Sequence, residues 1–438
     1  MKTVRGWVLL TVGLCGLVAA SVPAQGIPAF ARRTGLRCTA CHEAWPVLND
    51  FGRAFRDNGY QLRTGKDKPT DNPFAFWPTS FRLTPSYQYS SVSAQQTDQG
   101  KKTLGTGGVA DAAMDFLAAG TLNDDVGFLV VPTGFASNGN VHLESYWVYF
   151  SRLFGNSDWF NVRVGKHEVD LPVSAHRSIE LTNSYLIYNY HPAAASDVAG
   201  AFAIDQNQRG FEITGHDRGS FTRYNFSVFD GNGSPGSRNG FESPSFYGHF
   251  QKYWQLDSYS VSELELGAWG AYAQYPTQTL TLNGQPIGGA GGSLRPSERY
   301  GVEASILLGP ATTPVHLSLV LAHGQDNKDL YQGAAVRNAT WNGGFFEAIW
   351  VPPVDGLHWS LFTRYDMIRN DKQPTTDVPK SMNDQDQFTI GTKYTLAFFN
   401  RNEYAIHVEY ATNNMKHMAF DGGNQRTMTW FAGIDFAF

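Results

Sequence analysis

The sequence predicts a mainly β protein whose strands close into an antiparallel barrel that spans a membrane. From Thr79 to the C-terminus, short segments with apolar side chains at every second position recur between turn-rich stretches. The links between these segments alternate between short and long, which is typical of membrane barrels and has no reason in a soluble β-sandwich. After Gln25, no stretch approaches the ~18 apolar residues that a spanning helix needs.

The alternation is clearest in the last segment, where Trp430 and Ile434 fall on one face and Thr429 and Asp435 fall on the other. One such face could meet lipid. About sixteen segments of this kind recur, an even number that fits a closed barrel. They lie near residues 79–93, 111–122, 126–135, 142–153, 158–167, 210–217, 220–229, 245–255, 262–274, 298–308, 314–323, 340–351, 357–368, 386–396, 402–412 and 427–438.

The links predict which end of the barrel faces the cell exterior, because outer-membrane barrels have short periplasmic turns and long external loops. The short links include Asn123–Asp125, Gly155–Ser157, Asp217–Gly219 and Pro352–Gly356, and the long ones include Gln95–Ala110, Glu168–Arg209, Tyr275–Ser297, Asn370–Gln385 and Asn413–Arg426. Aromatic residues near strand ends suit interfacial girdles, although ordinary packing also explains them: Tyr146, Trp147, Trp159, Tyr253, Trp254, Trp350 and Trp359.

The N-terminus has the pattern of a secretory signal peptide. Lys2 and Arg5 precede an apolar run, and Val22-Pro23-Ala24 predicts cleavage before Gln25. We therefore divide the chain into a signal peptide (1–24), an N-terminal segment (25–75) and a barrel (76–438). The net charge of -5 and the absence of a basic face exclude nucleic acid as a partner.

The two cysteines of the predicted mature chain lie in Cys38-Thr39-Ala40-Cys41-His42. This spacing lets two thiols attach to the vinyl groups of one haem c while the following histidine ligates its iron. A disulfide, a thioredoxin-like redox pair and half of a zinc site are the alternatives. The last two need, respectively, a βαβ setting and further nearby Cys or His residues, which the sequence does not suggest.

A helix is predicted after the motif. Pro46 stands where a helix can begin, Phe51 and Phe55 recur at helical spacing, and Asn58-Gly59 supplies a stop. The apolar stripe could cover one haem face or pack on any apolar surface. The basic residues near the motif could meet haem propionates or form a solvated face: Arg32, Arg33, Arg37, Arg53 and Arg56.

The second axial ligand of the haem would have to come from the barrel, because neither Met nor His occurs between Glu43 and Ala113. Alternation places several histidines on the lumen side, where a polar lining role is the alternative: His142, His167, His216, His249, His316 and His407. His176 and His191 in a long link are a further source.

The N-terminal residues form three short motifs: Ile27-Pro28-Ala29-Phe30-Ala31-Arg32-Arg33-Thr34-Gly35, then Cys38-x-x-Cys41-His42, then Pro46-x-Leu48-x-x-Phe51-Gly52-Arg53-x-Phe55 ending in Gly59-Tyr60. Over roughly residues 27–60 the chain thus resembles the fused monohaem cytochrome-porins of bacterial outer membranes, some of which are iron(II) oxidases. Over the rest of the chain, the resemblance lies only in the architecture, a barrel of about sixteen strands that ends in Phe438. Arg56 stands where lysine is expected in the family, and no residues of an iron site are matched.

The resemblance implies that Cys38 and Cys41 attach the haem and that His42 is an axial ligand. It also implies electron transfer across the outer membrane, from extracellular iron(II) to a periplasmic carrier such as a soluble cytochrome. A segment this small cannot enclose a haem alone, so we expect it in the lumen or at its periplasmic mouth.

Two other functions stay open from the sequence: outward electron export, and a solute porin whose N-terminal segment is a haem-bearing plug. Acidic residues in or beside the predicted outer loops could bind iron(II) through oxygen, or be ordinary solvated residues: Asp326, Asp329, Asp371, Asp377 and Asp384.

Overall fold

The computed structural model describes residues 28–36, 40–44, 47–62, 79–97, 100–133, 142–155, 157–192, 203–230, 244–256, 260–282, 285–309, 313–331, 335–352, 359–399, 402–417 and 423–437. The predicted signal peptide and Cys38 lie outside these residues. Within them, no helix combines the length and apolarity needed to cross a membrane.

Sixteen antiparallel strands close into one barrel, which confirms the predicted fold class and strand number. Each strand pairs with its neighbours in the chain, and the last strand pairs with the first, placing Trp430 opposite Tyr89. The strands are β3 (Thr79–Thr97), β4 (Gly100–Asn123), β5 (Val126–Thr133), β6 (His142–Phe150), β7 (Asn161–His167), β8 (Gln208–His216), β9 (Thr222–Phe229), β10 (Ser245–Gln255), β11 (Val261–Leu282), β12 (Gln285–Leu308), β13 (Val315–Asp326), β14 (Ala339–Trp350), β15 (Trp359–Lys372), β16 (Gln385–Phe399), β17 (Asn402–Met415) and β18 (Gln425–Ala437).

The outer face of the barrel is apolar and exposed, and the inner face is buried. In β18, Trp430 is 53% exposed and Ile434 is 40% exposed, whereas Phe431 and Asp435, which follow them, are buried. The same alternation runs along β13, where Leu319 and Leu321 are exposed and their neighbours are buried. A continuous apolar exterior of this kind is the surface that lipid covers.

Two residues of the predicted aromatic girdles face the lumen instead of the lipid. Trp147 and Tyr253 are buried inside the barrel, while Trp254 next to Tyr253 is 40% exposed. The reason is geometric, since adjacent strand residues face opposite sides and only one of two neighbouring aromatics can meet lipid.

The barrel has a short-turn end and a long-loop end, as predicted. Links such as 124–125 and 217–221 lie at the first, and links such as 373–384 lie at the second. Two predicted long links are instead mostly strand. β3 and β4 stay paired to Thr97 and Gly100, and β11 and β12 to Leu282 and Gln285. Continued pairing satisfies the backbone groups of both hairpins.

The N-terminal segment contains helix α1 (Pro28–Thr34), the paired strands β1 (His42–Ala44) and β2 (Val47–Leu48), and helix α2 (Asp50–Asp57). The predicted helix exists but begins four residues after Pro46. The side chain of Asn49 caps it by accepting a hydrogen bond from the backbone N–H of Gly52 at 2.9 Å. It ends as predicted, since Gly59 follows with φ of +68°.

This segment lies inside the short-turn end of the barrel. The backbone N–H of Ala29 donates to Ser80 on β3, and the hydroxyl of Tyr149 on β6 donates to the carbonyl of Asp57 at 2.6 Å. On the opposite wall, Arg53 pairs with Glu263 on β11. Contacts to both walls place the segment across the lumen, as the sequence led us to expect.

The link between β7 and β8 also enters the lumen over residues 168–192, so the prediction of an external loop is wrong for these residues. It contains a short helix α3 (Leu186–Asn189) and a run of buried side chains. Tyr185 and Tyr188 pack against Phe345 of β14, and Ile187 is fully buried. The apolar side chains of this run favour the aromatic inner wall over water. We call residues 168–192 the lumen loop.

Candidate functional site

The described half of the C-x-x-C-H motif is locked against α2. The carbonyl of Cys41 accepts a hydrogen bond from the backbone N–H of Asn49 at 2.9 Å. A Cβ at position 52 would lie 2.0 Å from that same carbonyl oxygen, so only glycine fits there. Gly52, in the first turn of α2, therefore sets the position of Cys41 and of the adjacent His42.

The surroundings of Cys41 are apolar and disfavour its thiolate form. Its side chain packs against a cluster that includes Phe30, Phe55 and Leu129, and it forms no disulfide among the residues that the structure covers. Burial raises the pKa of the Cys41 thiol to about 11. A neutral thiol in an apolar wall, followed at once by the imidazole of His42, fits the donor set of a c-type haem.

A bare metal ion has less support. Across the described ranges, no three His, Cys, Asp or Glu side chains come together as a set of ligands.

Of the five basic residues near the motif, three have described side-chain contacts. Arg53 pairs with Asp50 and with Glu263, and its guanidinium carbon lies 4.2 Å from the centre of the Tyr253 ring. Arg56 pairs with Asp57 at 2.8 Å. Arg33 donates to Thr121 on β4. The side chains of Arg32 and Arg37 lie outside the described residues. Arg53 thus anchors the segment to the wall.

One arginine of the barrel joins the N-terminal segment to the lumen loop. Arg223 on β9 lies 3.2 Å from a carboxylate oxygen of Asp57 and 2.7 Å from one of Asp170. Burial raises the pKa of Asp57, but Arg223 and Arg56 outweigh it and hold the pKa at about 2. Asp57 is therefore ionised at neutral pH. The N-terminal segment and the lumen loop, which we call the two inserts, thus share one cation.

A second network holds the lumen loop to the far wall. Glu409 on β17 accepts hydrogen bonds from the backbone N–H groups of Leu181 at 2.7 Å and Thr182 at 3.0 Å, and from the Thr182 hydroxyl. Arg364 on β15 lies 3.0 Å from Glu180. The loop is thus fixed by charges as well as by apolar packing.

Two cavities that described residues line lie between the N-terminal segment, the lumen loop and the wall. The first holds about 1010 Å³ of space including its opening, and its lining includes Val47, Ile179 and His316. The second holds about 850 Å³ and its lining includes Trp147 and His167. Both are lined by Arg56, Pro172, Ser174 and Arg177, so they meet there. The lumen is narrowed by the inserts but keeps space along them.

The histidines predicted on the lumen side face inward where their side chains are described, and they differ in availability. His216 bonds the carbonyls of Asp57 and Asp217, His249 lies between Asp170 and Glu303, and His407 contacts Glu409. His167 and His316 line the cavities, and Nε2 of His167 is buried without a hydrogen-bond partner. The side chain of His142 is not among those described.

Among the predicted lumen histidines whose side chains are described, His167 and His316 are thus the two that line the cavities. His176 and His191 lie within 3.4 Å of Glu144 and Asp326 respectively.

The acidic residues proposed from the sequence as iron ligands do not gather into a site. Asp326 and Asp384 are buried, and Asp326 pairs with Arg299 while Asp384 accepts from the backbone N–H of Asn370. Two more form surface pairs, Asp329 with Arg295 and Asp371 with Lys380. Asp377 is exposed. These protein contacts account for four of the five carboxylates without a metal ion.

The residues that sequence reasoning missed are Asp170, Arg223, Arg364 and Glu409. No local motif marks them, since each acts on a partner more than fifty residues away along the chain. Charged residues on the inner face of a strand are the one available signal, and most of these serve only to line a lumen.

Comparison with known proteins identifies the fold. No protein-family model and no curated protein matches the chain. Among solved structures, an anion-selective porin from Comamonas acidovorans superposes with a TM-score of 0.54 at 13% identity, covering 82% of this chain and 99% of that one. A loop-deletion mutant of OmpT, an outer membrane protein of Vibrio cholerae, gives a TM-score of 0.50 at 8% identity with the same coverage. At such identities the likeness shows the fold alone, that of an outer-membrane porin barrel.

Proposed function

We propose that this chain is an outer-membrane porin-type barrel whose N-terminal segment carries one covalently attached haem c into the lumen. Cys38 and Cys41 would attach the group and His42 would ligate its iron. The motif supports the proposal, and so does the position of Cys41 and His42 within a segment that crosses the short-turn end of the barrel. This end would face the periplasm.

The role that the geometry supports best is restricted passage of small solutes around this plug. The observation that carries it is the pair of cavities that meet beside Arg56 and Arg177. The porin fold of the structural neighbours agrees with it.

The test is the conductance of the purified full-length chain in planar bilayers. Stepwise channels of small conductance are expected, and the variant Glu409→Ala, which frees the lumen loop, should enlarge them. A bilayer that stays insulating with either protein would contradict solute passage.

Electron transfer across the outer membrane is the second candidate, and the motif's place in the lumen favours it. A haem held there would supply a one-electron redox centre within an insulating layer. The chain's own residues would position it, because Gly52 and Asn49 fix Cys41, and Arg53 anchors α2 to the wall. The donor would be extracellular iron(II) and the acceptor a periplasmic carrier such as a soluble cytochrome, or electrons would leave outward.

Reconstituted vesicles distinguish these roles. Iron(II) added on the external face should reduce the haem band in the wild type, and dithionite should reduce it in every haem-bearing sample. A band that responds to dithionite but not to iron(II) would contradict iron oxidation and leave the plugged porin. Loss of haem stain on a denaturing gel in Cys38→Ser/Cys41→Ser checks the attachment itself.

A further inference from the structure

The lining that the two cavities share contains two guanidinium groups from different parts of the chain. Arg56 belongs to the last turn of α2, and Arg177 belongs to the lumen loop. Both line both cavities, together with Pro172 and Ser174. A solute that moves from one cavity to the other therefore passes these two arginines.

The other arginines that line the cavities are neutralised by the wall or by the inserts. Arg53 pairs with Glu263, Arg163 with Glu212, and Arg223 with Asp57 and Asp170.

Arg177 differs from these. No carboxylate among the described residues forms an ion pair with it, its side chain is exposed, and its pKa is raised by interaction with Tyr60 and by the charges of Glu168 and Glu144. Arg56 pairs through Nε with Asp57, but its Nη2 is buried and makes no hydrogen bond to the described residues. The buried Nη2 of Arg56 and the exposed guanidinium of Arg177 thus both face the junction.

The backbone turn that presents Arg177 is built by a neighbouring carboxylate. Glu168 accepts hydrogen bonds from the Ser174 hydroxyl at 2.8 Å and from the backbone N–H groups of Ala175 at 2.7 Å and His176 at 3.2 Å. The backbone N–H of Arg177 in turn donates to the Ser174 hydroxyl at 3.0 Å. Glu168 is engaged by the turn, which holds Arg177 at the junction.

We propose that Arg56 and Arg177 form a binding site for one carboxylate or small oxyanion at the junction of the cavities. Guanidinium groups bind planar carboxylates and tetrahedral oxyanions through paired N–H donors, and a buried donor such as Nη2 of Arg56 gains most from an acceptor. The site does not depend on the proposed solute passage. Its occupant is a soluble anion or a propionate of the proposed haem, which offer the same chemistry.

The test is equilibrium dialysis of the full-length protein in detergent against radiolabelled sulfate at pH 7 and low salt. The wild type is expected to bind one sulfate saturably, and Arg177→Gln and Arg56→Gln are expected to weaken binding about tenfold or more. Arg177→Lys should retain part of it. The matched control is Arg295→Gln, which removes a half-buried arginine paired with Asp329 in the long-loop region. Heat-resistant migration on gels confirms that each barrel is folded.

Each outcome decides the proposal. Sulfate binding by the wild type identifies a soluble anion as the occupant. Binding only by the haem-free variant Cys38→Ser/Cys41→Ser, or a shift of the haem midpoint potential in Arg177→Gln but not in Arg295→Gln, identifies a propionate. An equal loss of sulfate binding in Arg295→Gln overturns the site, and so does the absence of both sulfate binding and any change in potential.

Discussion

Replacing Arg223 by Gln should release the N-terminal segment from the barrel wall. The side chain of Arg223 is only 10% exposed and lies between Asp57 and Asp170, whose side chains are also largely buried. Removing one partner of a buried ion pair costs about 3 to 5 kcal/mol, because the remaining charges stay buried without a counterion. At 1.4 kcal/mol per factor of ten, a loss of about 3 kcal/mol raises the open population of the segment roughly a hundredfold.

Hydrogen exchange of the α2 amides measures this population, since exchange there requires the segment to open. We expect the amides from Arg53 to Asn58 to exchange about a hundredfold faster in Arg223→Gln than in the wild type. The control is Arg209→Gln, which removes a partly exposed arginine that pairs with Asp230 at the long-loop end. Equal exchange in Arg223→Gln and the wild type, or equal acceleration by the control, would refute the reasoning.

The pH dependence gives the same experiment a second readout. In the wild type, the pKa of Asp57 is lowered from 3.8 to about 2, so its contribution of about 2 kcal/mol is present above pH 3.8 and is lost as the pH falls through 2. Docking should therefore persist at pH 4.5. In Arg223→Gln, the cation that lowers the pKa of Asp57 most is gone, and burial then raises the pKa of Asp57. Lowering the pH should therefore neutralise Asp57 and partly restore the protection of the α2 amides. Identical pH profiles would contradict this assignment.

Three further predictions concern other contacts. Glu409→Ala removes the acceptor of three hydrogen bonds from the lumen loop, so channel conductance should rise or flicker, whereas the outward-facing Glu298→Ala should leave it unchanged. Gly52→Ala places a Cβ 2.0 Å from the Cys41 carbonyl oxygen, so it should weaken the docking of the segment by about 1 to 3 kcal/mol. The weakening should appear as faster hydrogen exchange of the α2 amides. In the control Gly248→Ala, the added Cβ meets nothing closer than 4.0 Å, so exchange should stay unchanged. An epitope tag at exposed Asp377 should be detected on intact cells and one at exposed Asp125 should not, and the reverse would overturn the orientation.

The barrel could be predicted from the sequence because lipid imposes the same rule on every strand. Each outward position needs an apolar side chain, so alternation such as Leu319 and Leu321 against Ser318 and Ala322 repeats sixteen times with links between. Strand ends were less predictable. The ladder between β11 and β12 continues to Leu282 and Gln285 without an apolar pattern, since backbone pairing alone supports it.

The contents of the lumen could not be predicted, because they depend on partners distant in the chain. Tyr185 donates to Glu347, and Leu181 to Glu409, across separations of 162 and 228 residues. From the sequence, the lumen loop has the length of an external loop and no local mark of its direction. For the motif, the position of Cys41 and His42 in a lumen segment agrees with the sequence, while the haem attachment at Cys38 and Cys41 stays a prediction.

We expect the N-terminal segment and the lumen loop to move together, because they share contacts. Arg223 neutralises Asp57 of the segment and Asp170 of the loop at once, and Val47 of the segment packs against the cluster that Ile179 of the loop forms with Ile349 and Phe362. A displaced segment would take Asp57 away from the guanidinium that also pairs with Asp170, and would remove Val47 from the cluster that contains Ile179. Any ligand that binds between them therefore acts on both, because holding one insert in place lowers the cost of holding the other.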